Sequence, residues 1–276
     1  GNCPGPWIHP DQVAGGVSSM MGCAGVNLYE SLYTPSGQGP SAWEDISIYD
    51  PGYAYPQDPS YWDYPYGGFG GGLPGLLKPD VCTYTGVRTT AWNGGYYSGF
   101  GGTSAATPHL GGAMCLMISA SPEASPRKIS QALQETAEDK GPAGKDSRYG
   151  AGKVQAYDAA LRLIYNVEVD NREPSIGSAI GLTGSGPAGN LNAVFWSLSL
   201  GSSTIPGIGD LAIGDPRHLL VKGNMPAAGK FTMTINVPNK TAWIGRTVYF
   251  QGVMDDRSGA TGQYLFSLVE DVTIQP

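Results

Sequence analysis

Charge is scarce in this sequence. Only 14% of its 276 residues are Asp, Glu, Lys or Arg, and the formal net charge is -7 without a dense cluster of Lys or Arg. Because nucleic-acid binding depends on a basic surface, this composition argues against a nucleic-acid partner. No apolar run approaches the roughly 18–20 residues that cross a bilayer, so no membrane span is predicted.

Histidine and cysteine are also rare, with three and four residues. The cysteines (Cys3, Cys23, Cys82 and Cys115) do not show metal-ligand spacing, and there is no clustered acidic loop of the EF-hand type, so neither a metal nor a cofactor is predicted. Cys115 falls in a long apolar segment, which predicts a buried free thiol. A Cys3–Cys23 bridge stays open, because sequence does not fix connectivity.

Glycine, proline and tyrosine are abundant, with 42, 22 and 16 residues, and 41% of the chain is hydrophobic. This composition predicts a folded chain with a real core and many turns. The length suits one large domain plus a smaller one, or two medium ones.

The most informative stretch is the glycine-rich run 97–102, which leads into Thr103 and Ser104. An apolar segment follows up to Ser119. Thr or Ser just ahead of an apolar run is typical of a helix N-terminus, and the first N–H groups of a helix have no intrahelical partner. The pattern therefore predicts a serine hydroxyl at a helix mouth, beside an N–H group able to receive an oxyanion. The plain alternative is a capped helix after an ordinary loop.

Residues 102–112, with the sequence GTSAATPHLGG, resemble the motif G-T-S-x-A-x-P-H-x-x-G of the subtilisin-like serine peptidases. All the fixed positions are present. The resemblance implies that Ser104 is the nucleophile and that His109 belongs to the structural P-H pair. It also implies a secreted or cell-surface location, and calcium is frequent in the family although no clear site is visible here.

Other segments resemble the family in its order along the chain: a Gly-Asn pair at 1–2, the loop and strand at 9–17, the turn at 36–40, the K-P-D element at 78–80 and the G-x-G segment from 150. By position, the resemblance makes Asn2 the second oxyanion-hole donor, although an isolated Gly-Asn is also a common turn. Asp80 is structural in the family. The family's A-P-G is replaced by the run from Thr83 to Gly86, which leaves the local loop path open.

The resemblance covers residues 1–164 and implies an α/β fold, the C-terminal part of a subtilisin-like parallel-sheet domain. It contains a Tyr/Gly/Pro-rich insertion at about 41–75, which either walls the cleft, contacts another chain, or is a solvated decoration. After residue 165, alternation from Phe231 to Val237 and further strands at 247–253 and 264–274 predict an all-β sandwich-like domain at 165–276. Its expected role is adhesion, substrate presentation or stabilisation.

Serine peptidase chemistry also needs a base and an orienting carboxylate. In the family the Asp and the His precede the asparagine, whereas this chain opens on Gly1 and Asn2, which reads as the middle of a protein. None of the histidines (His9, His109 and His218) fits the base by order. Two explanations remain: an N-terminal fragment of the same precursor supplies Asp and His, or the protein kept the scaffold and lost the chemistry.

The sequence therefore predicts a serine endopeptidase that forms an acyl-enzyme on Ser104, with protein or peptide substrates. The alternative is a catalytically inactive structural or adhesive surface protein built on a subtilase scaffold.

Overall fold

The computed structural model describes residues 21–38, 41–42, 64–65, 74–76 and 78–276. The predictions for Asn2, Cys3, His9, the strand near Val13, and most of the 41–75 insertion lie outside these residues. The described chain is rich in β-strands and has few helices. It divides into two compact units, residues 1–117 with 125–159, and residues 118–124 with 160–276.

The described residues of the first unit form short strands and three α-helices, the first and third of which extend into the residues of the second unit. The strands are β1 (Cys23–Val26), β2 (Ser41–Ala42), β3 (Tyr64–Pro65), β4 (Pro74–Leu76), β5 (Val81–Tyr84), β6 (Val87–Thr90) and β7 (Tyr96–Phe100); the helices are α1 (Thr103–Ala120), α2 (Pro126–Glu135) and α3 (Ala156–Ile164).

Strand β5 has hydrogen-bonded partners on both of its sides. It pairs in parallel with β1, with Cys23 opposite Val81 and Val26 opposite Tyr84. On its other side, the Cys82 N–H donates to the Gly152 carbonyl at 2.8 Å and the Val154 N–H donates to the Cys82 carbonyl at 3.0 Å. Both strands are buried nearly throughout, as parallel strands usually are.

The remaining sheets of the first unit are antiparallel. They are the three-stranded β2-β4-β3 and the two-stranded β6-β7. The parallel pairing among the described residues is thus confined to β1, β5 and isolated bridges.

Helix α1 begins and ends close to the predicted bounds, but its environment differs from the prediction. Ala106 and Met117 are fully buried, whereas Leu116 is 65% exposed and Ile118 is 49% exposed. A segment that is apolar or small on every face predicts a helix buried all round, and that prediction is wrong for this chain. The predicted burial of Cys115 is also wrong, because its free thiol is exposed. An apolar sequence shows that a helix can be buried, but it does not show which of its faces packs against another element.

Helix α2 follows the sequence pattern closely. Ser125 is the N-cap and accepts a hydrogen bond from the Lys128 N–H, with Pro126 in the first turn. Ile129 and Leu133 are buried on one face. The Ser cap, the Pro in the first turn and the apolar residues at 129, 133 and 137 predict an amphipathic helix here, and the structure confirms it.

A cluster of charged groups joins three loops of the first unit. The Lys140 ammonium lies 2.5 Å from a carboxylate oxygen of Glu30, and Lys153 and the Tyr84 hydroxyl also donate to Glu30. Glu138 contacts both lysines. Hydrogen bonds from Lys140, then Lys153 and Tyr84, lower the pKa of Glu30 to about 2. Glu30 is therefore ionised over the whole neutral and mildly acidic range.

The second unit consists almost entirely of antiparallel strands. They are β8 (Asn166–Val169), β9 (Ala179–Ser185), β10 (Leu191–Ser197), β11 (Leu200–Ile205), β12 (Gly209–Ile213), β13 (His218–Asn224), β14 (Lys230–Asn236), β15 (Thr247–Asp255), β16 (Tyr264–Phe266) and β17 (Glu270–Thr273).

These strands form a five-stranded sheet with the order β13-β10-β15-β16, in which β17 also pairs with β15, a three-stranded sheet β14-β9-β8 and the β11-β12 pair. Leu182 from β9, Val194 from β10 and Met254 from β15 meet in one hydrophobic core and are fully buried. The larger two sheets therefore share a core. The strands predicted from the alternation at 231–237 and from 247 onward are present.

None of the helices in the described part of the chain is long and apolar enough to span a bilayer.

Gly150 offers a test of the packing around β5. It has a φ of +66°, and a Cβ there would lie 2.3 Å from the Asp80 carbonyl carbon. Gly144 has a φ of +83° but no atom within 4 Å of the corresponding position. We expect Gly150→Ala to lower the free energy of unfolding by about 2–4 kcal/mol, because strain and a backbone clash add, and Gly144→Ala by only about 1 kcal/mol. Urea unfolding measures both, and equal losses would contradict the packing.

Glu30→Gln tests the charged cluster through pH. A carboxyl whose pKa falls on folding stabilises the protein above its unfolded pKa, here near 4.5, and the contribution is lost as pH falls toward about 2. The variant should therefore have a lower urea midpoint than the wild type at pH 7, and the gap should narrow at pH 3. Glu135→Gln, an exposed residue of α2, is the control. A gap independent of pH would refute this role for Glu30.

Candidate active site

Ser104 is exposed in the first turn of α1, at the position that the sequence predicts. Gly102 turns the chain into the helix with a φ of +82°, a conformation that residues with a Cβ rarely adopt. Its carbonyl accepts hydrogen bonds from the N–H groups of Ala105 at 3.0 Å and Ala106 at 3.4 Å. Gly102 thus closes the helix start immediately before the serine.

Two threonines fix this turn to the buried strand. Thr83, in β5, donates its hydroxyl to the Ala106 carbonyl at 2.6 Å. Thr85, just beyond the strand, donates to the Gly102 carbonyl at 2.8 Å. Both side chains are buried, and buried hydrogen bonds hold their partners firmly. The serine turn is therefore positioned by β5 as well as by its own glycines.

Sequence reasoning missed these threonines. They occupy the run in which the chain departs from the family's A-P-G. The available signal was their spacing, because residues 83 and 85 point to the same side of an extended chain.

The backbone beside Ser104 is suited to receiving negative charge. No residue within the described ranges accepts a hydrogen bond from the Ser104 N–H, as expected for the first turn of a helix. The positive end of the helix dipole lies at the same place. This arrangement can stabilise an oxyanion formed next to the serine hydroxyl.

Neither of the two described histidines is placed to act as the catalytic base. His109 is one turn into α1, where its Nδ1 lies 2.8 Å from the Ala105 carbonyl oxygen, an interaction within the helix. His218 belongs to the second unit and stacks on Trp196 with ring centroids 4.6 Å apart. His9 and Asn2 fall outside the described residues, so the position of the second predicted oxyanion donor stays a prediction.

Asp80 is buried and held by positive groups. Its carboxylate accepts hydrogen bonds from Lys78 at 2.5 Å, from Lys145 at 3.2 Å and from the Gly22 N–H at 2.7 Å. These contacts tie the start of β5 to neighbouring loops. They agree with the structural role that the sequence comparison gives to this residue.

The buried thiols are unsuited to nucleophilic chemistry. Burial raises the pKa of Cys82 to about 12 and also raises the pKa of Cys23. Both cysteines are free and buried, so they remain protonated at neutral pH and act as packing groups.

No group of three or more metal-ligating side chains occurs in the part of the chain that the structure describes.

Comparison with known proteins matches residues 25–152 to the model of the subtilase family. A psychrophilic subtilisin-like protease from the Antarctic psychrotroph Pseudoalteromonas sp. AS-11 is 40% identical over 25% of this chain, with a TM-score of 0.23. The chain spans only 15% of that protein.

Two other solved structures are similar at low identity. A chitin binding domain from Burkholderia pseudomallei is 12% identical, with 38% of this chain and 57% of that chain covered and a TM-score of 0.24. A PKD domain of an M14-like peptidase from Thermoplasmatales archaeon SCGC AB-540-F20 is 14% identical, with 41% and 94% covered and a TM-score of 0.20. At these TM-scores the structural likenesses carry no argument about fold or function.

The family match includes Ser104, its glycine turn and the β5 strand that holds them. The chain therefore contains a subtilase-type domain.

Proposed function

We propose that this chain carries the nucleophile half of a serine endopeptidase of the subtilisin type, which cleaves protein or peptide substrates through an acyl-enzyme on Ser104. The observation that carries the proposal is the exposed Ser104 hydroxyl at the N-terminus of α1, inside the segment that matches the subtilase family. The serine oxygen attacks the scissile carbonyl, the amine leaves, and water releases the acyl group.

The proposed oxyanion hole has two donors. One is the Ser104 N–H, which lies in the first turn of a helix and has no described acceptor. The other is the Asn2 side chain, assigned by its place in the family's order. Together they stabilise the negative charge that develops on the substrate carbonyl oxygen.

The catalytic Asp and His are proposed to come from an upstream segment of the same precursor. Support comes from the two described histidines, which are occupied within α1 and against Trp196. The exposed face of α1 gives further support, because Leu116 and Ile118 offer apolar surface that another segment can cover. The chemistry itself requires no metal or cofactor, since the serine, the base and the oxyanion donors suffice.

The finer architecture belongs to the same proposal. The parallel pair β1-β5 would form part of a larger parallel sheet that the upstream segment completes, within an α/β domain over residues 1–164. Residues 165–276 would form a β-sandwich accessory domain, which the core shared by two of its sheets supports. A secreted or cell-surface location follows from the family resemblance.

The second candidate function is a structural or adhesive surface protein on an inactive subtilase scaffold. It is favoured by the same observation about the histidines, since both described histidines are engaged in other contacts. The two candidates differ in whether Ser104 reacts.

A serine-directed fluorophosphonate distinguishes them. In the full-length protein that contains this chain, we expect labelling at Ser104 and hydrolysis of casein. Ser104→Ala should abolish labelling and lower kcat by about 10⁶, the loss that removing the nucleophile causes in subtilisin. Asn2→Ala should lower kcat by about 10²–10³, as the loss of one oxyanion donor does in subtilisin.

Ser119→Ala is the matched control, because Ser119 is an exposed serine of the same helix. It should leave labelling and turnover unchanged. If a protein that contains the upstream Asp and His is not labelled at Ser104, the peptidase proposal is wrong, and the inactive structural or adhesive protein is the remaining candidate.

Cys115 reports on the proposed upstream partner. Its thiol is exposed in this chain, whereas Cys82 is buried. If the upstream segment covers the outer face of α1, alkylation of Cys115 by iodoacetamide in the folded full-length protein should be slow and should accelerate on unfolding. Peptide mass mapping measures each site, with Cys82 as the protected control. Rapid alkylation of Cys115 in the folded protein would rule out this packing.

A further inference from the structure

We propose that the hairpin formed by β6 and β7, residues 87–100, is a substrate-binding arm. It would pair with the part of an extended polypeptide substrate that lies C-terminal to the scissile bond, and it would favour aromatic and acidic side chains there. We call residues 87–100 the β6–β7 arm. The inference rests on the proposed function of Ser104 and adds a substrate preference to it.

The arm presents aromatic rings to solvent. Trp92, at its tip, is 100% exposed, and Tyr96 and Tyr97 are 69% and 56% exposed. All five residues of β7 are exposed. Large aromatic side chains are costly to leave in water and are enriched at binding surfaces, so a run of them on one short hairpin indicates a surface that meets a partner.

The arm is an ordered element. Its tip is closed by hydrogen bonds between Ala91 and Gly95 at 2.8 Å and between Gly94 and Ala91 at 3.1 Å. Thr90 lies opposite Tyr96, and Thr89 lies opposite Tyr97. The register shifts next to Val87, where Gly99 has a φ of +89°. A bulge of this kind bends a strand and often lies beside a functional site.

The arm joins the serine turn directly. Strand β7 ends at Phe100, and only Gly101 and Gly102 separate it from α1. The Thr85 hydroxyl holds the Gly102 carbonyl at the base of the arm. A peptide bound along the arm is therefore placed in register with Ser104 by the protein backbone.

Strand β7 has an edge available for pairing. Among the described residues it pairs with β6 alone. An extended peptide can add as a strand to such an edge, and antiparallel pairing is slightly more stable per residue than parallel pairing. Because β7 runs toward Ser104, an antiparallel substrate runs away from it. The part of the substrate that pairs with β7 is therefore the part C-terminal to the scissile bond.

Charge complementarity selects the acidic side chain. Arg88 is the one Lys, Arg, Asp or Glu in the sequence between Asp80 and Glu123, so this stretch is positive in a chain of net charge -7. Its guanidinium lies 4.4 Å from the centre of the Tyr96 ring, and no described residue accepts a hydrogen bond from it. A guanidinium held over a ring keeps donors for a carboxylate.

The length of the arm determines how long a substrate must be to contact it. At about 3.4 Å per residue, a substrate needs about eight residues beyond the scissile bond to reach Tyr96 from Ser104. Counted in the same way, Trp92 is about twelve residues away, and a substrate with two such residues stops near Gly102. Only a substrate with about twelve such residues can contact Trp92 as well as Tyr96 and Arg88.

The test compares two peptides with the same acyl side in the full-length protein. One has two residues after the scissile bond, and the other has about twelve, including a tryptophan and an aspartate. We expect Trp92→Ala and Tyr96→Ala each to lower the ratio of kcat/KM for the long peptide to that for the short one by about 5–30-fold. Arg88→Gln should lower the ratio only when the long peptide carries the aspartate rather than asparagine. Tyr157→Ala, a 72% exposed tyrosine of α3, should leave the ratio unchanged.

A ratio that does not respond to the three arm variants overturns the inference while leaving the peptidase proposal intact. A second measurement tests the arm independently of hydrolysis: the binding of the long peptide to the Ser104→Ala protein, followed by fluorescence anisotropy. If hydrolysis is absent but Trp92→Ala weakens binding, the arm is supported and the peptidase proposal fails. If Trp92→Ala instead converts a dimer to a monomer with the ratio unchanged, the arm is an interface between copies and the inference is wrong.

Discussion

The hydrogen bonds that Thr83 and Thr85 donate to the first turn of α1 are the constraint on which the candidate site depends. Thr83 lies in the parallel strand β5 and Thr85 just beyond it; both side chains are buried, and both acceptors are carbonyls in the turn around Ser104. Because buried donors and carbonyls are costly to leave unpaired, these hydrogen bonds fix the position of the helix start relative to the strand. The same hydrogen bonds therefore fix the position of Ser104.

The same constraint explains why the site combines order with exposure. Gly102 supplies the left-handed turn that lets Ser104 face solvent while its neighbours Ala105 and Ala106 are buried. The glycine run also connects β7 to the helix, so the β6–β7 arm leads directly into the serine turn. A substrate held along the arm would then be delivered in a fixed register, which is how positioning lowers the barrier of a reaction.

Helix α1 illustrates the difference between an apolar sequence and a buried helix. Met117 is buried, yet Leu116 and Cys115 face solvent. Among the described residues, those that pack against α1 cover one side of it. An apolar outer side is the expected complement of a further segment, and this is why the proposed catalytic base and the proposed cover for the helix are assigned to the same upstream piece.

The sequence by itself determined the local features whose causes are local. These include the cap and amphipathic face of α2, the start of α1 after the glycine run, and the alternating strand β14, because capping, glycine conformation and period-two burial act over a few residues. It also predicted that Ser104 lies in the first turn of α1. Only the tertiary structure decided what depends on distant partners: the two threonine hydrogen bonds, the exposure of Cys115, the ionised Glu30 between lysines 110 and 123 residues away, and the path of the arm. Those depend on which segments meet, and residue spacing along a chain does not fix that.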